Sequence, residues 1–190
     1  MTTQFPGHSA PAAGFEVPLE MLAACHLRVE HQCATLRRLV PHLVAHGADP
    51  DARSAAANLM RYFDTSARDH HADEEVDLFP ALIESMAGSD AVCLREMIAA
   101  LTAEHRELER HWCAVRIVLD QVAAGKPLAL APDDVQAFVG LYERHIACEE
   151  AELLPMAKRL LSDADLGHIG LAMRERRGPA AVRSESRPPG

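Results

Sequence analysis

Apolar residues recur every three or four positions along four long segments of the chain. In the third segment these positions are Leu94, Ile98, Leu101, His105, Leu108, Trp112, Val115, Leu119 and Val122. The first segment shows the same spacing from Leu22 to Leu43. Such spacing places the apolar side chains on one face of an α-helix and is typical of the seams between bundled helices. Only 4% of the residues are aromatic, which also favours helices over sheets.

Proline, glycine and capping residues predict where these helices begin and end. The four long helices are predicted at about 18–46, 50–86, 89–124 and 132–161. Pro41 and Pro80 lie inside helices, where a proline is expected to kink the backbone. Ser162 and Asp165 resemble a capping box, so a short fifth helix is predicted over 162–177, stopped by Gly178.

Short links between the long helices predict that neighbours run antiparallel. The fold class is therefore predicted as all-α, an up-down-up-down four-helix bundle over 18–161 with a short C-terminal fifth helix. Residues 1–17 and 178–190 are rich in proline, glycine or alanine and are predicted to be flexible tails. The fifth helix is expected to cover a bundle end or to serve self-association, with Arg174, Arg176 and Arg177 on a solvated face.

Charge and composition exclude several classes of function. The chain has 190 residues and a formal net charge of -9, which argues against nucleic acid as a partner. It has no run of 18 apolar residues and no secretory signal, so we expect no membrane contact and a cytoplasmic location. Five cysteines without a Cys-x-x-Cys pair argue against a disulfide framework or a zinc ribbon. Cys25 and Cys148 adjoin candidate site residues, and their role stays open.

Histidines occupy core positions in all four seams. His26 and His105 lie in the first and third helices, and two further histidines are each followed by a glutamate four residues later. These pairs are His70 with Glu74 and His145 with Glu149. Residues four apart on a helix point the same way, so each pair can hold one ligand. The surrounding segments HHADEEVDLFP (70–80) and HIACEEAELLP (145–155) align at an offset of 75.

The predicted helix lengths place these residues at one height in the bundle. His26 lies 20 residues before His46, and His70 lies 20 residues after Pro50. Both distances correspond to a rise of ~30 Å, so the two histidines are level in an antiparallel pair. The same comparison places His105, His145 and the two glutamates within about two turns of that layer.

Six ionisable groups in one apolar layer are costly unless something pairs with them. A buried hydrogen-bond network is one solution, and a metal site is the other. Imidazole with carboxylate suits iron, manganese or zinc, but four histidines and two glutamates exceed the needs of one tetrahedral zinc. The composition of the layer therefore points to two metal ions, with iron as the natural content.

These residues and spacings resemble the hemerythrin-like, or HHE cation-binding, domain family over about residues 19–160. The resemblance implies an antiparallel four-helix bundle with a pair of non-haem iron ions. The implied metal ligands are His26, His70, Glu74, His105, His145 and Glu149. It also implies that the two glutamates bridge the irons, together with an oxo or hydroxo group.

Two departures bear on the function. Oxygen-carrying hemerythrins have a second histidine on the third helix, four residues after the first, where this chain has Glu109. Glu30 likewise follows His26 by four, and both glutamates are either additional ligands or solvent-facing side chains. His71 and Glu75 lie off the seam and are expected in a supporting or surface role. Tyr142 is expected in the core, with a hydrogen bond to an oxygen species at the metal as the alternative.

The leading hypothesis is a diiron protein that binds or reacts with oxygen, peroxide or nitric oxide. A negative charge at Glu109 would favour ferric iron, so we expect a sensor, scavenger or weak oxidase rather than an oxygen carrier. The alternative is iron handling or iron sensing without catalysis. A ferritin-type oxidase is disfavoured because the chain has no Glu-x-x-His, and a hydrolase because it has no His-Glu-x-x-His.

Overall fold

The computed structural model describes residues 14–86 and 91–178. Within these ranges the regular secondary structure is entirely helical, which confirms the all-α prediction. The α-helices are α1 (Pro18–His46), α2 (Pro50–Asp64), α3 (Ser66–Ala72), α4 (Phe79–Ser85), α5 (Ala91–Ala123), α6 (Pro132–Cys148), α7 (Leu154–Leu160) and α8 (Asp163–Arg177). Two π-helical turns, Asp73–Leu78 and Glu149–Leu153, join α3 to α4 and α6 to α7. No helix in this part of the chain is long and apolar enough to cross a membrane.

Capping residues explain several helix ends. The Asp49 carboxylate accepts a hydrogen bond of 2.8 Å from the backbone N–H of Ala52 at the start of α2. Ser162 and Asp165 form the predicted capping box at the start of α8. Gly47 follows α1 with φ of 65°, a left-handed conformation that glycine adopts without strain. The predicted start of the third helix at Ser89 lies outside the described residues.

The second and fourth helices were predicted as continuous, and each is interrupted. Thr65 leaves helical geometry between α2 and α3, and a wide π turn precedes both Pro80 and Pro155. A proline cannot donate to the carbonyl four residues back. In both turns the N–H of the residue before the proline instead donates to a carbonyl five residues back, that of Glu74 or of Glu149. The α1 helix, by contrast, continues through Pro41.

Four helical segments pack in a ring in which α1 contacts α2, α2 contacts α5, α5 contacts α6 and α6 contacts α1. In the contacting pairs, residue numbers rise along one helix while they fall along its neighbour. Between α2 and α5 the pairs are Arg53 with Ala123, and Asp64 with Arg116 and Trp112. From α1, Arg37 binds Glu143 of α6, and His26 binds Glu150 of the π turn that follows α6.

The core is divided into two apolar clusters by a polar layer. One cluster surrounds Leu36, Phe63 and Phe138, and the other surrounds Leu22 and Leu82. Buried histidines and glutamates occupy the layer between them. The fold therefore builds the candidate site into the middle of its core.

The N-terminal tail prediction was wrong for residues 14–17, whereas residues 1–13 and 179–190 lie outside the described ranges. Residues 14–17 form a turn, and the Phe15 ring is buried in the second apolar cluster. The Phe15 carbonyl lies so close to Gly170 on α8 that a side chain at Gly170 would collide with it. The buried Phe15 ring belongs to the same cluster as Ile169 and Met173 of α8, so it packs this segment against that helix.

The predicted solvated face of α8 was also wrong in part. Arg176 binds the carboxylates of Asp73 and Asp77 in the first π turn, and Arg177 binds Asp73. Asp73 is fully buried, so its charge requires these partners. Arg174 is the exposed member of the group and pairs with Glu16 at 3.3 Å. These ion pairs hold the π turn that carries Glu74 against the last turn of α8.

Candidate metal centre

The six ligand candidates meet in the polar layer, each with at most 2% of its surface exposed. They are His26 from α1, His70 from α3, Glu74 from the first π turn, His105 from α5, His145 from α6 and Glu149 from the second π turn. Four separate parts of the chain therefore contribute to one buried cluster.

The two carboxylates each face two histidines on opposite sides. One oxygen of Glu74 lies 3.3 Å from His70 Nε2, and the other lies 3.4 Å from His105 Nε2. One oxygen of Glu149 lies 3.1 Å from His26 Nε2, and the other lies 3.2 Å from His145 Nε2. Both glutamates thus lie between the same two pairs of histidines.

This arrangement forms two overlapping groups that share the glutamates. The first ligand set is His26, His70, Glu74 and Glu149, and the second ligand set is His105, His145, Glu74 and Glu149. Within each set the ligand atoms lie within 4.8 Å of one another. In the second set the two Nε2 atoms are 3.0 Å apart. Each set has the size and the donors to surround one cation.

Three of the histidines are oriented by an outer glutamate. Their Nδ1 atoms are paired as His26 with Glu150 at 2.6 Å, His105 with Glu75 at 2.7 Å, and His145 with Glu104 at 2.8 Å. A carboxylate on Nδ1 holds the ring so that Nε2 faces the centre, and it increases the basicity of the ligand. Each of these glutamates is a chain neighbour of a ligand candidate, but only Glu75 was considered for such a role. The adjacent acidic residue is the sequence signal that identifies the other two.

His70 has a different outer neighbour, the buried thiol of Cys25. Burial alone would raise the pKa of this thiol, but its interaction with His70 outweighs burial and lowers it. Unlike the other three histidines, His70 has no hydrogen bond from Nδ1 to a described residue. Cys148 is half-buried, and burial raises its pKa.

The buried charges shift the pKa values of the cluster strongly. Burial would lower the pKa of His26, but the adjacent carboxylates of Glu149 and Glu74 raise it to about 11. Burial would also lower the pKa of His145, but the neighbouring Glu149 carboxylate raises it to about 9. Burial would raise the pKa of Glu74, but His70 and the other histidines hold it well below its usual range. Without a metal, protons on the histidines therefore balance the carboxylates.

Several ligand atoms are nevertheless unsatisfied. Both oxygens of Glu74, both oxygens of Glu149 and Nε2 of His26 are buried, and none of their contacts of 3.1–3.4 Å within the described residues has hydrogen-bond geometry. An unpaired buried acceptor costs about 1–3 kcal/mol, so such atoms are uncommon in folded proteins. Cations coordinated by these oxygens and nitrogens would satisfy them together. The residues present therefore fit a two-metal site.

Neither Glu30 nor Glu109 reaches this centre. Both side chains are exposed, and Glu109 forms an ion pair with Arg106 at 3.5 Å on the surface of α5. Ligation by Glu30 or Glu109 is therefore excluded in this arrangement. Tyr142 is buried against Phe63 and Phe138, as expected for a core tyrosine.

His71 is the residue whose position the sequence left unresolved. It is buried rather than exposed, and its ring stacks on that of His105. His71 also forms a third group of potential ligands with His105 and His145. The signal for this contact is weak in the sequence because His71 lies off the seam of its own helix.

The comparisons with known proteins agree with this geometry. The family model described as Hemerythrin HHE cation binding domain matches residues 17–157. The chain belongs to this family. An uncharacterized protein of Haemophilus influenzae is 32% identical over 165 residues, which cover 87% of this chain and 92% of that protein. The matched range contains all six ligand candidates, and with two buried ligand sets the chain is a metal-binding protein.

Proposed function

We propose that this hemerythrin-type domain holds two non-haem iron ions and binds or reacts with oxygen, peroxide or nitric oxide. The observation that carries the proposal is the position of Glu74 and Glu149, each with one oxygen toward either histidine pair. His26 and His70 would hold one iron, and His105 and His145 the other. The antiparallel pairing of the four helices, which the contact pattern supports, keeps these residues level.

The donor chemistry favours iron. Imidazole and carboxylate ligands suit iron, whereas structural zinc prefers four ligands in a closed tetrahedron. Four histidines and two shared carboxylates exceed that number for a single ion. When bound, an iron pair supplies one-electron and two-electron redox chemistry and binds small diatomic ligands.

The protein's own contribution is orientation, exclusion of bulk water and delivery of protons. Glu74 and Glu149 are fully buried, so their charges act in a medium of low polarity. Glu104 and Glu150 are 34% and 44% exposed while each contacts the Nδ1 of a buried histidine. They connect the centre to solvent and can pass protons to it. Ready proton supply favours irreversible reduction of a bound oxidant, so we propose a sensor, scavenger or weak oxidase rather than an oxygen carrier.

The exclusion of an oxygen carrier no longer depends on Glu109. Glu109 was expected to place a negative charge beside the iron, and its exposed position removes that argument. The outer glutamates take its place in the proposal, because they contact the histidines directly.

Iron handling or iron sensing without catalysis is the second candidate. It is favoured by the location of the ligand layer between the two apolar clusters, where metal occupancy is coupled to the folding of the core. In that case iron would bind tightly, and the reduced protein would not consume oxidant faster than free ferrous iron.

Stoichiometry tests the metal centre directly. Elemental analysis after iron-replete expression should give about two irons per chain, and Glu149→Gln should lose at least one because both ligand sets share this residue. Glu152→Gln is the matched control, since Glu152 lies in the same π turn but is exposed. A single zinc with no uptake of iron would contradict the proposal.

Reactivity separates the two candidate functions. The anaerobic ferrous protein is mixed with oxygen, peroxide or nitric oxide, and its optical spectrum is followed against free ferrous iron. We expect oxidation or adduct formation within minutes for at least one of them. Two tightly bound irons that remain unreactive would favour iron handling. An oxygen adduct that persists for hours and releases oxygen under vacuum would contradict the exclusion of a carrier.

A further inference from the structure

A surface pocket of about 370 Å³ opens between α5 and the break that separates α2 from α3. The residues that line it from α2 and α3 are Phe63, Asp64, Ala67, Arg68 and His71. They are spaced by one, three or four positions, so they form one continuous face on both sides of the break. None of the six ligand candidates lines the pocket, which is therefore a separate feature of the molecule.

Aromatic rings form most of the inner wall of this pocket. The rings of Phe63 and Trp112 lie 4.8 Å apart with 42° between their planes, and the ring of Tyr142 lies 5.8 Å from Phe63. Leu108 of α5 completes the apolar wall. Aromatic walls favour a planar apolar occupant, and pockets of about 300–1,000 Å³ are typical of small-molecule sites. The size and the lining together suit a small aromatic molecule.

The mouth of the pocket has a positive charge that the protein itself does not neutralise. Arg68 is exposed and forms no ion pair with any residue in the described ranges. Asp64, four residues earlier, is the nearest acidic residue in the chain that lines the pocket, but its carboxylate has other partners. It accepts hydrogen bonds from Trp112 Nε1 at 2.9 Å and from Arg116 Nε at 2.8 Å.

The remaining groups at the mouth add to this charge pattern. Glu109 pairs with Arg106 at 3.5 Å, so its carboxylate is also engaged. Asp64 binds only the Nε of Arg116, and the two terminal nitrogens of that guanidinium have no hydrogen bond to a described residue. Arg68 and Arg116 thus offer free N–H donors at the edge of an aromatic pocket. Guanidinium groups bind carboxylates through such donors.

We propose that this pocket binds a small aromatic carboxylate. The ring of the ligand would lie against Trp112 and Phe63, and its carboxylate would bind Arg68 and Arg116. This site goes beyond the proposed iron chemistry and does not require it. At the inner end of the pocket His71 stacks on His105 at 4.0 Å, so an occupant would lie one ring away from the second ligand set.

Binding of phenylacetate to the full-length protein tests the proposal. Calorimetry gives the affinity, and the fluorescence of Trp112, the only tryptophan in the chain, reports occupancy of the pocket. Phenylacetate should bind and change this fluorescence. Phenylacetamide has nearly the same shape without the charge and should bind at least about tenfold more weakly, because hydrogen bonds to charged groups are the stronger ones.

A charge variant tests the assigned arginine. Arg68→Gln should weaken the binding of phenylacetate at least about fivefold and leave that of phenylacetamide nearly unchanged. Arg61→Gln is the matched control, since Arg61 is also exposed but bonds Asn58 and does not line the pocket. It should bind both compounds like the wild type.

Two exposed cysteines of α5 locate the bound ligand. Cys113 lines the pocket, whereas Cys93 lies near the start of the same helix and does not. Saturating phenylacetate should slow the alkylation of Cys113 by iodoacetamide several-fold and leave that of Cys93 unchanged. Mass spectrometry of the digested protein measures both rates in one sample.

The outcomes decide the proposal without reference to iron. No binding of phenylacetate, equal affinity for phenylacetamide, or wild-type affinity in Arg68→Gln would overturn the carboxylate site. Binding without protection of Cys113 would place the ligand elsewhere and would overturn it as well. None of these results bears on metal stoichiometry or reactivity, so a failure here is distinct from a failure of the proposed function.

Discussion

Buried charge in this protein is balanced side chain by side chain. Glu74 and Glu149 lie among four histidines, and three of those histidines have a second carboxylate on the far side of the ring. Each of these three imidazoles is thus held between an inner and an outer carboxylate. Such pairing fixes the direction of Nε2 before any metal binds, which lowers the cost of ordering the ligands.

The raised histidine pKa values predict how the metal-free protein responds to pH. His26 and His145 have folded-state pKa values of about 11 and about 9, above the 6.5 of an unperturbed histidine. Their contribution to stability is therefore complete below about pH 6.5 and is lost as the pH rises through the folded values. The chelated protein should melt at progressively lower temperature between about pH 7 and pH 9.5.

Calorimetry of the chelated protein over this range is the measurement. His145→Gln should reduce the decline, because it removes the group with the lower of the two values. The lowered pKa values of Glu74 and Glu149 have the opposite sign and matter only in acid. A melting temperature that does not change between pH 7 and pH 9.5 would show that the histidines are not protonated as described.

Sequence reasoning was most successful for side chains on the helical seams. The six ligand candidates were found because their spacing matches the helical repeat, and the structure brings all six together. Glu30 and Glu109 each lie four residues after a seam histidine but point to solvent, because the seam continues after three residues, through Val29 and Leu108. His71 shows the opposite behaviour. It lies off the seam of its own helix, but it is buried because its ring packs against His105 of α5.

The π turns are the structural elements that carry the two shared carboxylates. Each contains one buried glutamate and precedes a proline, so the two similar segments of the chain form the same local structure. Widened helical turns are frequent at functional sites. Helical periodicity predicted these segments as helix but not the widened turn. The trace of that turn is a run of buried positions that step only by four, as in His70, Glu74, Leu78 and Leu82.

The α8 helix holds the first π turn in place through buried ion pairs. Arg177→Ala removes one partner of the fully buried Asp73, and we expect unfolding to become easier by about 1–3 kcal/mol. Arg174→Ala is the control on the same helix, because its pair with Glu16 is exposed and should contribute less than about 1 kcal/mol. Urea denaturation of both variants measures the difference, and equal stability would show that Asp73 needs only Arg176.

The metal layer separates two apolar clusters, so its occupancy should influence the stability of the entire fold. Metal that binds only the folded state at about 1,000 times its dissociation constant adds about 4 kcal/mol. For a chain of this size that corresponds to a rise in melting temperature of about 8–16 °C. Chelation should therefore lower the melting temperature by this order, measured anaerobically with ferrous iron.

Glu149→Gln serves as the internal comparison for this measurement. It disrupts both ligand sets, so chelator should change its melting temperature much less than that of the wild type. An equal effect of chelator on both proteins would mean that the stabilising metal binds elsewhere.

Near-neighbour rules were sufficient to predict the all-α class, the capped helix ends and the level layer of histidines and glutamates. These features depend on hydrogen bonds and side-chain spacing within a few residues. The partners of each side chain were not predictable in this way. Phe15 on α8, Arg177 on Asp73 and His71 on His105 are contacts between residues far apart in the chain. They depend on how the helices rotate and pack against one another, and many combinations of rotation satisfy the same periodic pattern.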